Sequence, residues 1–119
     1  NLDHVMLNGY DVLSYYTNQR PLKGSPEYQI EYQGTKWYFV NKINMNKFKR
    51  NPEMYIPEFG GYSVWAIAHG KLIGGDPEIW KLVEGGLYLF CSERTRTKWM
   101  QERELINRLA RDNWPAILD

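Results

Sequence analysis

The chain has 119 residues, a formal net charge of +1 and one cysteine. That length suits a single domain, read here as residues 1–119, with a modest core. One cysteine excludes an internal disulfide and a cysteine-built structural zinc site. The near-neutral charge gives no electrostatic case for nucleic acid, and no segment has the length and apolarity of a membrane span.

Asp11 is placed to cap a short helical turn carrying Val12, Tyr15 and Tyr16. Arg20 to Pro26 reads as a loop broken by Pro21, Gly24 and Pro26. Tyr28, Ile30 and Tyr32 then alternate with polar residues, the period of a half-buried strand. Gly34 turns the chain into a denser apolar strand, Lys36 to Val40. A helix follows, from about Asn41 or Asn44 to Arg50, anchored by Ile43 and Phe48 and ended by Pro52. Lys36, Lys42, Lys47, Lys49 and Arg50 make this stretch locally basic, as a solvated face is.

Tyr55, Ile56 and Phe59 lead to Gly60-Gly61. Tyr62 to His69 reads as a further helical segment stopped by Gly70. After the Gly74–Pro77 turn comes a second hairpin, Ile79–Val83 and Leu87–Phe90. Ser92 is a good N-cap for a long C-terminal helix, with Trp99, Ile106, Leu109 and Ala110 near one stripe. Pro115 stops that helix and Trp114 tucks back onto the body. Together these elements predict an α+β domain: two β-hairpins forming a small antiparallel sheet, with helices packed on it.

Two stretches follow one template. Tyr32 to Phe48 and Val83 to Trp99 each run strand, glycine turn, strand, polar cap, helix. Gly34 to Gly85, Phe39 to Phe90 and Phe48 to Trp99 are the matching pairs. The template sets Cys91 opposite Val40, so the thiol reads as a residue that closes a core strand. Its place beside a helix N-terminus leaves a reactive thiolate as the other reading.

Both histidines are candidates for chemistry. If Tyr62 to His69 is helical, Tyr62, Ala66 and His69 share a face, and small Ala66 leaves a notch between a phenol and an imidazole. The plainer alternative is a His that meets the last carbonyls of its helix. His4 lies in the N-terminal segment, where an exposed ring is the plain reading. No paired carboxylate motif, nucleophile elbow or phosphate-cradling glycine loop stands out.

Gly9-Tyr10-Asp11-Val12-Leu13-Ser14-Tyr15-Tyr16, Trp37-Tyr38-Phe39, Asn51-Pro52-Glu53-Met54-Tyr55 and Gly60-Gly61-Tyr62 together resemble the longer YHS-domain proteins. Gly75-Asp76-Pro77-Glu78 and Asn113-Trp114-Pro115 continue the likeness. The resemblance implies a small α+β module, often exported, although no signal peptide is present in this chain and it begins at Asn1. Short YHS domains of heavy-metal proteins carry a Cys-x-x-x-Cys pair after the Tyr-Phe strand. The matching positions here are Val40 and Asn44, and longer members often have cysteine where this chain has Ser63.

The expected function is a non-catalytic binding module. Tyr10, Asp11, Tyr62, Ser63 and His69 would contact a small polar molecule between the two glycine-tyrosine segments. A transition-metal ion such as copper or zinc, held by His69, His4 and oxygen donors, is the other ligand considered. The alternatives are a protein–protein interaction module, or a small enzyme using His69 or Cys91. The sequence sets no oligomeric state.

Overall fold

The structure, a computed structural model, describes residues 4–119. The chain is α+β, and its contacts divide between Ile56 and Pro57 into two units, each with its own core.

The first unit opens on a 3-10 turn, Met6–Gly9, whose last three residues all have positive φ: Leu7 58°, Asn8 52° and Gly9 89°. Strand β1 (Tyr10–Asp11) leads into helix α1 (Ser14–Thr17) and pairs with β2 (Leu22–Lys23). The Arg20 to Pro26 stretch expected as loop therefore holds a strand, because Leu22 and Lys23 bond back to β1. Strands β3 (Ser25–Tyr32) and β4 (Thr35–Phe39) form the hairpin, with a register shift between Ser25 and Gln29. Gln33 and Gly34 both have positive φ, as a two-residue type I′ turn requires. Helix α2 (Lys42–Arg50) starts at Asn41, whose side chain accepts from the Asn44 amide at 2.8 Å.

Trp37, Phe39 and Phe48 are buried together, their rings 4.8 to 5.2 Å apart from Phe48. Phe48 anchors α2 as expected, but Ile43 does not: it is 66% exposed, on the far side of a helix that buries Phe48 alone.

The second unit repeats this order. A 3-10 turn, Glu58–Gly61, again carries three successive positive φ values, at Phe59, Gly60 and Gly61. Tyr62 bridges Gly74 as Tyr10 pairs with Lys23. Then come α3 (Val64–Ala68), β5 (Asp76–Val83), β6 (Gly86–Phe90) and α4 (Glu93–Gln101). Even the register shift recurs, between Asp76 and Trp80. Ser92 and Thr95 close α4 in a capping box.

Gly24 and Gly75 mark the same point in both units. Their amides donate to Gly9 O at 2.8 Å and Gly61 O at 3.0 Å. A Cβ on Gly24 would lie 2.7 Å from the Tyr38 carbonyl carbon, and one on Gly75 2.4 Å from Leu89 Cβ. Only glycine lets the two chain segments approach so closely.

Two expectations need correcting. The hairpins do not join into one sheet: β1–β2, β3–β4 and β5–β6 are separate two-stranded ribbons. The long C-terminal helix is two helices, α4 and α5 (Arg103–Asn113), broken at Glu102 with φ −134° and ψ 41°. Trp99 Nε1 donates to Asn107 Oδ1 at 2.7 Å. Eight residues of straight helix rise about 12 Å, so that bond exists only because the helix breaks. The break turns Ile106 and Ala110 onto the core beside Phe90 and Trp99 and leaves Leu109, expected on the same stripe, 37% exposed. Trp114 does tuck back, meeting Phe59 and Tyr62 at about 6 Å.

Candidate functional site

In the first unit the residue with the densest polar contacts is Asp11. It is fully buried. Its Oδ1 accepts from the Leu13 amide at 2.8 Å, an Asx turn leading into α1. The N-cap itself is Leu13, not Asp11 as expected, because the first helical amides bond Leu13 O. Its Oδ2 accepts from the Val40 amide and from Asn44 Nδ2, each at 2.9 Å. One carboxylate thus ties the start of α1 to the end of β4 and the first turn of α2. Ser14 continues the network, donating to Asp11 O at 2.6 Å and accepting from the Leu22 amide. Tyr10 lies half-buried under Lys23, whose Nζ is 4.7 Å from the ring centroid and donates to Asn8 O. His4 is exposed, and its carbonyl accepts from the Lys36 amide at 3.1 Å.

In the second unit Tyr62 precedes the N-cap of α3 in extended conformation, so it does not share a helix face with Ala66 and His69. The cause is Ser63, which takes the N-cap role and accepts from the Ala66 amide at 3.3 Å. Ser63 is buried there. His69 is the C-cap; its ring stacks on Trp65 at 3.9 Å, and Nδ1 lies 2.8 Å from Trp65 O. This is the helix-terminal arrangement that stood as the plainer alternative. Cys91 is half-buried, with Sγ 3.8 Å from Thr95 Oγ1. Among the described residues no three His, Cys, Asp or Glu side chains gather where they could hold a metal ion.

Tyr10 and Tyr62 occupy corresponding positions of the two units, as do Asp11 and Ser63. Each pair follows a left-handed turn and precedes a short helix. The segments that lay outside the repeated template in the sequence are therefore part of it.

The second unit also has what the first lacks, helix α5, and a cleft of about 860 Å³ lies between that helix and the β5–β6 hairpin. Its floor is built from the core outward. Asn107 holds the Trp99 indole, the Tyr88 ring lies 4.9 Å from Trp99, and the Arg103 guanidinium sits 6.0 Å over the Trp99 ring. Tyr88 corresponds to Trp37, which is buried and donates its Nε1 hydrogen to Tyr32 O. The Tyr88 hydroxyl instead lines the cleft and has no hydrogen-bond partner among the described residues. Burial raises its pKa, the negative Glu58 adds to this, and Arg111 and Arg103 oppose it. Glu58 and Glu84 stand on the hairpin side, and Arg103 and Arg111 on α5.

The family model of the YHS domain matches residues 13–58. Residues 13–58 are a YHS domain. No curated protein and no solved structure is significantly similar to the chain.

The matched span covers the first unit from α1 onward, so Asp11 acts on the YHS domain from just outside it. Resemblance to the short metal-handling form places its two thiolates at Val40 and Asn44. In this YHS domain those two positions both donate hydrogen bonds to Asp11. The sequence marked Asp11 as a cap but carried no sign of its reach to Val40 and Asn44, which lie some thirty positions along the chain. The cleft residues were missed as well. Their signal is faint: Arg103, Asn107 and Arg111 recur every four residues, one face of a helix.

Proposed function

We propose that the chain is a non-catalytic, YHS-type binding module whose ligand is a small polar molecule taken up in the cleft of the second unit. The observation that supports this is the cleft itself, concave and of ligand size, with a phenol on an aromatic floor and charged groups of both signs around it. A soft metal at the family's thiolate positions is disfavoured by chemistry. The Val40 amide and Asn44 Nδ2 are hydrogen-bond donors with no electron pair to give a metal, and Asp11 already holds both.

Two measurements test the reading. Titration with Cu(I), Cu(II), Zn(II) and Ni(II), with His69→Ala and His4→Ala as controls, is expected to give no binding tighter than about micromolar. A screen of small polar molecules by amide-resolved NMR is expected to shift Tyr88, Arg103 and Arg111. Sub-micromolar metal binding lost in either histidine variant, or ligand shifts confined to the first unit, would overturn it.

A further inference from the structure

The basic residues of the cleft all come from α5, which presents Arg103 and Arg111 eight positions apart on one stripe, with Arg108 beside them. The opposite wall, Glu58 of the 3-10 turn and Glu84 of the hairpin turn, carries none. Glu102 and Glu104 sit at the start of α5. None of these groups pairs with another: the one ion pair among the described residues is Arg96 with Glu93. A ligand with a single charge meets nearly as much repulsion as attraction in such a lining. A ligand with charges of both signs meets attraction at each end, provided it aligns with the two walls.

The rest of the cleft fits a molecule of that kind. Tyr88 lines the same cleft, its ring against the Trp99 floor. Its hydroxyl is a neutral donor and acceptor that can bond the polar centre of a ligand. Gly86 keeps the hairpin wall open, since a Cβ there would stand 3.0 Å from a Glu58 carboxylate oxygen. The first unit offers no such arrangement: Thr35 replaces Gly86, a buried Trp37 replaces Tyr88, and the unit ends after α2 and a 3-10 turn.

We propose that this cleft binds a small zwitterion, the size of an amino acid to a short peptide, with its carboxylate toward Arg103 and Arg111 and its ammonium toward Glu58 and Glu84. This rests on the reading of the chain as a small-molecule module at the same cleft. The probes are trialanine, its N-acetyl form and its C-terminal amide, each titrated into the full chain and followed by amide-resolved NMR. Free trialanine is expected to bind with a Kd below about 1 mM, and each cap to weaken it at least about tenfold. Replacing Arg103 and Arg111 with Gln is expected to weaken trialanine but leave the amide unaffected. Glu58→Gln is expected to weaken trialanine but leave the N-acetyl form unaffected. These side chains are exposed, and the same spectra verify the fold of every variant. Equal binding of the free and capped forms at the cleft would overturn the zwitterion and leave the small-molecule reading standing. No cleft shifts with any of the three at 10 mM, about tenfold above the expected Kd, would also overturn the zwitterion. The wider polar screen then decides the module.

Discussion

Replacing Asp11 tests whether one buried carboxylate holds the first unit together. Asp11→Ala removes the acceptor for the Leu13 amide, the Val40 amide and Asn44 Nδ2 at once. Each donor left without a partner costs about 1–3 kcal/mol. Val40 and Asn44 are only half-buried, so water recovers part of this and the lower end applies, about 3–4 kcal/mol in all. That is a large share of the roughly 5–15 kcal/mol of a typical domain. Asp11→Asn keeps the shape but has one oxygen for three donors. The Asn44 amide can flip to accept from the new NH2 group, whereas the Val40 amide cannot turn away. The loss is then about 2 kcal/mol. Urea denaturation followed by tryptophan fluorescence gives the ranking wild type, Asn, Ala. Because the chain has two units, hydrogen exchange at Leu13 and Val40 is the sharper readout. An unchanged midpoint in Asp11→Ala, together with unchanged protection of those two amides, would refute the reasoning.

Gly24→Ala and Gly75→Ala should each cost more than about 2 kcal/mol, because the new methyl meets the Tyr38 backbone or Leu89 Cβ. Gly34→Ala, with positive φ but open space around it, should cost only about 1 kcal/mol; equal losses in chemical denaturation would contradict the packing account. Asn107→Ala should strand the Trp99 indole and cost about 1–3 kcal/mol, read as a lower urea midpoint and a shifted Trp99 indole resonance. Tyr88 should ionise above the ordinary tyrosine value of about 10. Its contribution to stability is whole below about pH 10 and is lost as pH rises through the higher folded value, since the unfolded chain then ionises first. The difference in ultraviolet titration between wild type and Tyr88→Phe measures this, and ionisation at or below about pH 10 would count against it.

Much of each hairpin was legible because its causes are local. Alternation sets β3, a Gly at the second turn position sets the I′ turns, and Asn41 and Ser92 set the starts of α2 and α4. The wider repeat was harder to see. From Gly24 to Phe48 the match to Gly75 to Trp99 holds at one offset, but Gly9-Tyr10 matches Gly61-Tyr62 at an offset one residue longer. The connection through α1 is one residue longer than that through α3, so a fixed-offset comparison passes over it.

By itself the sequence determined the α+β class, the hairpin–helix template and a local turn at Asp11, since each depends on residues within a turn or two of one another. The tertiary structure alone decided that the hairpins stay as separate ribbons, that Asp11 reaches Val40 and Asn44, and that α5 breaks from α4. It also decided which arginines and glutamates line one cleft. Those outcomes depend on where distant segments meet. A buried carboxylate or an indole takes whichever partner the fold brings within about 3 Å, and no pattern of neighbours in the chain records that choice.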